Sequence, residues 1–271
     1  MKILSIDTAS QICGISILEN SKLICKLDQN TGRTHSENLM PMIQQAFKQT
    51  NLALKDMDLL VCDKGPGSFT GIRIGVATVK AFHDSLAIPC IGVSSLEALA
   101  YSVKQEGFMI SIIDCKNNNC YFAMYALKNS IYTELIPPTA DTIVNALNSC
   151  NHYIFSHNSE YLKNASITFV GDGSEIYKEF ILNEFENCIL ATPENNFLNS
   201  YYVGLAGFNK WKENKFDDIL PLYLKKPQAQ RQLEERSKNI EITSMTLNDL
   251  NQISNILISD IDSFWNNTIL K

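Results

Sequence analysis

The order of apolar and polar segments repeats once along the chain, and this repeat constrains the fold more than any single motif. Three short apolar runs, KILSIDTAS, CGISILE and KLICKLD, open the sequence as a strand meander. A helix, the strand DLLVC and a second helix follow. The second half has the same order in MISIID, CYFAMYAL, IYTELI, TADTIVNAL, ITFVGDG and SEIYKEFIL. Strands that alternate with helices in this way predict an α/β fold of layered sheets and helices.

The charge and the cysteine content argue against several classes of protein. The 271 residues carry a net charge of −6 with dispersed basic residues, so we expect no tight binding to nucleic acid without a partner. Asp7 interrupts the first apolar run, and no apolar stretch approaches the roughly 20 residues of a membrane span. The eight cysteines stand far apart without a C-x-x-C motif, which favours a reduced, cytoplasmic protein.

The segment CDKGPGSFTGIRIG, residues 62–75, looks at first like a phosphate-binding loop, because glycines follow an apolar run and lead into a helix predicted over residues 71–86. It matches neither common nucleotide motif. A Walker A loop needs Lys and then Ser or Thr where this chain has Ile72 and Arg73. A dinucleotide fingerprint needs its third glycine where this chain has Thr70.

A structural role explains the glycine loop better than a phosphate does. Pro66 and Gly67 fit a tight turn, and Thr70 is predicted to cap the helix. Gly71 and Gly75 then lie on one helical face, where the missing Cβ atoms favour the close approach of another helix. Anion binding stays open as the alternative.

The turn after the first strand holds the only weak candidates for a cofactor site. In actin-like ATPases an aspartate ends the first strand and helps to bind metal and phosphate, and Asp7 has that position. The candidates are Asp7, Thr8 and Ser10. The turn lacks a glycine, which hinders the approach of backbone to a phosphate, so a structural turn is at least as well supported. The alternative function is an actin-like phosphotransferase or ATPase that uses Asp7.

We predict no catalytic and no metal-binding residues. No histidine pair has H-E-x-x-H spacing, and His152 and His157 stand five residues apart, which suits neither a helix nor a strand. No serine lies in a G-x-S-x-G motif. We therefore expect no cofactor and no independent activity.

The two helices of the first half carry more apolar surface than one core face needs, which predicts a partner interface. Thr34 and Glu37 fit a capping box at the start of the first helix. The predicted interface comprises His35, Ser36, Glu37, Leu39, Met40, Ile43, Phe47, Gly71, Ile72, Gly75, Val76 and Val79. The alternative is that both helices cover their own sheet.

Six segments together resemble the bacterial TsaB (YeaZ) family: ILSIDTAS, HSENLMPMI, GPGSFTGIRIGV, GVSSLEALA, GDG and LPLYLKKPQA. The resemblance implies a two-lobed actin-like ATPase fold (ASKHA, ribonuclease H-like). It also implies a role in making threonylcarbamoyladenosine (t6A), the modified base beside the anticodon of some tRNAs. In that family the catalytic work belongs to a metal-binding paralogue, TsaD, and TsaE supplies ATPase activity.

The resemblance thus implies a non-catalytic subunit that pairs with TsaD and works with TsaE. The apolar patch also predicts a homodimer when the chain is alone. The net charge predicts contact with tRNA only through the complex, and the lack of a long apolar stretch predicts no membrane. The predicted domains are residues 1–103, residues 104–230, and an extension over residues 231–271. The helix over residues 199–213 is expected to pack back on the first lobe.

Two features depart from the family pattern. Cys115 and Lys116 stand where the family usually has a DAR segment, so the role of that arginine does not carry over. The extension resembles the first strand and helix of a RimI-type GNAT acetyltransferase. Its helical stripe comprises Leu247, Leu250, Ile253, Leu257, Ile261 and Phe264. No glycine follows Gly207 to form the acetyl-CoA loop, so the extension is predicted to be a remnant.

Overall fold

The computed structural model describes residues 1–30, 34–156, 165–216 and 219–225. Residues 1–225 form one compact unit that contains two five-stranded sheets. The predicted GNAT-like extension over residues 231–271 and the candidate His157 lie outside the described residues. The predicted boundary near residue 103 falls between the last helix of the first half and the first strand of the second.

The first sheet is built as the sequence predicts, from a meander followed by two parallel strands. The meander consists of β1 (Lys2–Asp7), β2 (Cys13–Glu19) and β3 (Lys22–Gln29). β4 (Leu59–Asp63) pairs in parallel with β1, and β5 (Cys90–Val93) pairs in parallel with β4. The strand order is β3-β2-β1-β4-β5. β1 is therefore central, and its carboxyl end lies beside that of β4.

Two long helices cover one face of this sheet. They are α1 (His35–Thr50) and α2 (Phe69–Leu86). A 3₁₀ turn at Leu54–Asp56 connects α1 to β4. The N-cap of α2 is Ser68, whose hydroxyl accepts from the N–H of Gly71 at 3.2 Å, so the prediction of a Thr70 cap is wrong. The helix begins two residues earlier than predicted.

The second sheet repeats the topology of the first. β6 (Gly107–Asp114), β7 (Asn119–Lys128) and β8 (Ile131–Thr142) form the meander. β9 (Ile167–Val170) pairs in parallel with β6, and β10 (Cys188–Leu190) pairs with β9. The outer helices are α4 (Ile143–Ser156), α5 (Asp172–Ile176) and α6 (Lys178–Glu184). Residues 139–142, predicted to begin a helix, instead end β8.

The last helix of each half packs on the sheet of the other half. α3 (Ser95–Ala100) follows β5 but packs on β6 and β7. α7 (Ser200–Lys212) follows the 3₁₀ turn Pro193–Asn196 and packs on β1, β2, β4 and β5. Each sheet is thus covered on both faces, and the predicted two-lobed actin-like (ribonuclease H-like) fold is confirmed.

All eight cysteines are free thiols, as their spacing predicts. Among the described helices, none combines the length and apolar character needed to cross a bilayer.

Candidate functional site

The glycine loop after β4 packs directly on the turn after β1. The N–H of Ser68 donates to the carbonyl of Ala9 at 2.6 Å, and the hydroxyl of Thr8 donates to the carbonyl of Gly71 at 2.8 Å. The N–H of Gly65 donates to Asp63 Oδ1 at 2.8 Å. The protein's own backbone and carboxylate therefore use N–H groups that a phosphate-binding loop would offer to its ligand.

The glycines of this loop serve contacts inside the lobe. A Cβ atom at Gly67 would collide with the carbonyl of Ala9, and one at Gly71 would collide with that of Thr8. At Gly75 a Cβ would lie 2.5 Å from the hydroxyl of Thr8. The prediction that Gly71 and Gly75 allow the approach of a partner helix is therefore wrong. They allow α2 to approach the end of β1.

Asp7 and Asp63 form a buried pair of carboxyl groups at the adjacent ends of β1 and β4. Asp7 is 1% exposed and Asp63 is 0% exposed. Asp7 Oδ1 accepts from the N–H of Ala9 at 3.0 Å, and Asp63 Oδ1 also accepts from the hydroxyl of Ser95 at 2.7 Å. Within the described residues, Asp63 Oδ2 is buried without a hydrogen-bond partner, and the carboxyl group of Asp7 is close enough to shift the pKa of Asp63.

Burial of the two carboxyl groups favours retention of a proton on the pair. Burial, followed by the charge of Asp63, raises the pKa of Asp7 well above its usual value. Burial also raises the pKa of Asp63 to about 7, against the opposing hydrogen bonds from Ser95 and Gly65. The other charged groups that act on the pair, Asp28 and Glu97, are acidic and favour retention of the proton.

A cleft of about 970 Å³ lies between the two lobes, above this pair. The first lobe lines it with the β1–β2 turn and with the N-terminal ends of α1 and α2. The second lobe contributes residues 113–115, Tyr121, Asp172 and residues 196–198. His35 lies at its edge, where Nε2 is 2.8 Å from the carbonyl of Ser10 and Nδ1 has no partner among the described residues.

The three weak cofactor candidates differ in whether they line the cleft. Ser10 lines the cleft, whereas Asp7 does not, and Thr8 is fully buried against Gly71. Asp7 is therefore buried and does not contact the space of the cleft. The part of the chain that the structure describes contains no group of three His, Cys, Asp or Glu side chains arranged to hold a metal ion.

The structure corrects the predicted partner interface. Seven of its twelve residues are buried in the first lobe, most of them in the core between the sheet and α1 and α2. These seven are Leu39, Ile43, Gly71, Ile72, Gly75, Val76 and Val79. Helical periodicity identified the apolar stripe correctly, but the stripe covers the lobe's own sheet, which was the alternative interpretation.

The other five predicted interface residues remain accessible. Ser36, Glu37 and Met40 are exposed, and His35 and Phe47 are half-buried. Met40 is 42% exposed, which is high for a large apolar side chain. The outward side of α2 adds Arg73, Ala77 and Lys80. We call the exposed sides of α1 and α2, represented by Met40 and by these three residues, the outward face.

Sequence reasoning missed an aromatic cluster around Arg73 on this face. The guanidinium carbon of Arg73 lies 3.9 Å from the centre of the Phe69 ring. Arg73 Nε donates to the hydroxyl of Tyr223 at 2.7 Å, and the Phe69 and Tyr223 rings stack with centres 4.4 Å apart. The spacing of Phe69 and Arg73 on a helix was a visible signal, but Tyr223 lies 150 residues away.

The residues that replace the DAR segment lie at the second-lobe side of the cleft. Lys116 Nζ pairs with Asp114 at 3.1 Å, and the side chain of Lys116 is 84% exposed. Lys225 Nζ donates to Cys115 Sγ at 3.0 Å. The segment that ends at Lys225 thus reaches from α2 to the second lobe.

Comparisons of the sequence and of the fold relate this chain to known proteins. A family model described as "TsaD: tRNA N6-adenosine threonylcarbamoyltransferase" matches residues 28–232. The TsaB protein of Bacillus subtilis, named as a tRNA threonylcarbamoyladenosine biosynthesis protein, is 30% identical over 182 residues, which cover 67% of this chain and 75% of that protein. TsaB of Escherichia coli is 30% identical over 128 residues, which cover 46% of this chain and 55% of that protein.

The matched part spans three quarters of one curated relative and about half of the other. The solved structure of YeaZ from Pseudomonas aeruginosa superposes with a TM-score of 0.64 at 21% identity, over 82% of this chain and 99% of that one. This structural likeness shows a shared fold. With the matching family model and the relative from Bacillus subtilis, it shows that the chain belongs to the TsaB (YeaZ) family.

Proposed function

We propose that this chain takes part in t6A biosynthesis as a non-catalytic subunit that pairs with a TsaD-type protein. Family membership supports the pathway, because the relatives from Bacillus subtilis and Escherichia coli are named for it. The single observation that carries the non-catalytic role is the burial of the Asp7–Asp63 pair. The acid that an actin-like ATPase would use for metal and phosphate is 1% exposed and bonded to its own turn.

The glycine loop supports the same role. Its N–H groups at Gly65 and Ser68 bond within the lobe, and its glycines bring α2 onto β1. The loop therefore positions a helix. α2 and α1 present the outward face, which we propose as the surface for the TsaD-type subunit.

The remaining partners follow from this assignment. A TsaE-type ATPase supplies nucleotide hydrolysis to the complex, and tRNA is contacted through the complex. The net charge of −6 supports this division, because tRNA binding depends on clustered positive charge. The chain alone forms a homodimer through the outward face and acts in the cytoplasm.

Reconstitution tests this function directly. The full chain is purified with the TsaD-type and TsaE-type proteins of its own organism, and t6A formed in tRNA is measured with and without the chain. We expect a stable complex with the TsaD-type protein and modification that depends on all three. Full modification without this chain, or failure of the chain to bind the TsaD-type protein, would overturn the proposal.

A further inference from the structure

Arg73 is exposed on α2, yet its guanidinium group is held in a fixed position. It stacks on Phe69 at 3.9 Å, and its Nε donates to the hydroxyl of Tyr223 at 2.7 Å. The Tyr223 ring centre lies 5.6 Å from the same guanidinium carbon. Among the described residues, no carboxylate or carbonyl accepts from the two Nη groups. The described part of the chain thus orders an arginine and offers no acceptor to its two Nη groups.

A purely structural role does not account for this ordering. The segment that carries Tyr223 is already fastened to the lobe without Arg73. Ile219 is 4% exposed in the core, and the N–H of Leu222 donates to the carbonyl of Lys64 at 2.7 Å. An exposed arginine normally keeps its side-chain freedom. Losing that freedom before a partner arrives lowers the cost of binding one.

We propose that Arg73 is the anchor through which the outward face binds a carboxylate of the TsaD-type subunit. This inference rests on the proposed function and names the chemistry of the contact. With Nε engaged by Tyr223, the two Nη groups present a planar pair of donors, the geometry that a carboxylate accepts in a bidentate manner. Arginine beside aromatic side chains is also the composition typical of interface hot spots.

The charge of the outward face favours a protein carboxylate over an RNA phosphate. Along α2 the exposed stripe of Arg73, Ala77, Lys80 and Asp84 carries two basic side chains and one acidic one, so it is positive near Arg73 on a chain whose net charge is −6. An acidic patch on a partner protein complements two such charges. Binding to an RNA backbone without sequence readout needs more cations than this stripe supplies.

The test measures binding of the full chain to the TsaD-type subunit of its own organism by calorimetry at physiological salt. Arg73→Gln should weaken binding about 30-fold or more, the size expected of a hot spot. Arg73→Lys keeps the charge but loses the planar donor pair, so we expect a loss of about 10-fold. Tyr223→Phe releases Nε and should cost about 3-fold. Lys178→Gln, which removes an exposed charge from α6 in the second lobe, is the matched control.

Each outcome decides the inference. If Arg73→Gln is folded and binds within about 3-fold of wild type, Arg73 is not the anchor and the proposed function stands. If Arg73→Lys binds like wild type, a point charge suffices and the bidentate contact is wrong. If Arg73→Gln abolishes tRNA binding in a mobility-shift assay but leaves pairing intact, Arg73 binds phosphate. If wild type does not bind the TsaD-type subunit, the proposed function fails and the inference fails with it.

Discussion

The two lobes share one topology, but they shift the pKa values of their corresponding aspartates in opposite directions. Each places an aspartate at the end of its first strand, Asp7 in β1 and Asp114 in β6. Asp7 meets a second buried acid, and burial and the charge of Asp63 raise its pKa. Burial also acts on Asp114, but hydrogen bonds from Tyr177 and Lys116 outweigh it and lower the pKa. Topology fixes where an acid lies, and its neighbours decide whether it is ionised.

Both lobes also use glycine to bring a helix onto their first strand. In the first lobe a Cβ atom at Gly71 would collide with the carbonyl of Thr8. In the second lobe Cβ atoms at Gly171 and Gly173 would collide with Ile112. The same device therefore occurs beneath a long helix, α2, and beneath a short one, α5. The lobes differ in the length of the helix that this contact positions.

The largest expected effect tests the glycine contacts of the first lobe. Gly71→Ala places a Cβ against the backbone of Thr8, which cannot rotate away, and should lower the free energy of unfolding by about 3 kcal/mol. Gly75→Ala meets only the Thr8 hydroxyl at 2.5 Å and should cost about half as much. Urea denaturation at pH 7 measures both. Equal effects would show that the β1 contact is not rigid.

Sequence reasoning predicted the strand meanders, the main helices and the α/β class from local periodicity, and the two-lobed fold from the family resemblance. It could not decide which side of α1 and α2 faces a partner, because an apolar stripe such as Leu39 and Ile43 looks the same against a sheet or a subunit. It also could not pair Asp7 with Asp63, because 56 residues separate them and only the parallel register of β1 and β4 brings them together.

A second prediction concerns the pH dependence of the acid pair. Both folded pKa values lie above the unfolded value of 3.8, so the folded state binds more protons between about pH 4 and 7. Stability contributed by the pair is therefore present at about pH 4 and is lost as the pH rises towards 7. Asp7→Asn keeps the shape of the side chain and removes its titratable carboxyl group.

Denaturation of wild type and Asp7→Asn at pH 4, 5.5 and 7 checks the prediction. We expect wild type to lose about 2 kcal/mol more than the variant across this window. The raised pKa values of Glu97 and Asp172 act equally on both proteins and cancel in the comparison. Parallel pH profiles for wild type and Asp7→Asn would contradict the raised pKa of Asp7.

The corresponding acid of the second lobe should respond with the opposite sign. Tyr177 donates to Asp114 Oδ1 at 2.6 Å, and this bond stabilises the charged carboxylate. Tyr177→Phe should lower the free energy of unfolding by about 1 kcal/mol at pH 7. The difference from wild type should shrink as the pH falls below 4, because Asp114 then takes up a proton. A difference that stays constant down to pH 3 would assign the effect to packing.

The smallest expected effect comes from the exposed partner of the same acid. Lys116 pairs with Asp114 at 3.1 Å, but its side chain is 84% exposed to solvent and salt. Lys116→Gln should change the free energy of unfolding by less than about 0.5 kcal/mol. Thermal melts at 50 and 500 mM salt measure this change. A larger loss at low salt would mean that Lys116, rather than Tyr177, keeps Asp114 ionised.

The exchange of α3 and α7 between the lobes has a consequence for synthesis on the ribosome. One face of the first sheet, including Ile3, Leu18 and Val61, is covered by α7, which ends at Lys212. That face stays uncovered until nearly the whole described chain has been translated. The nascent first lobe therefore carries an open apolar surface for most of its synthesis, the kind of surface that chaperones bind. A chain that stops before residue 200 leaves this surface bare, and we expect it to aggregate or be degraded.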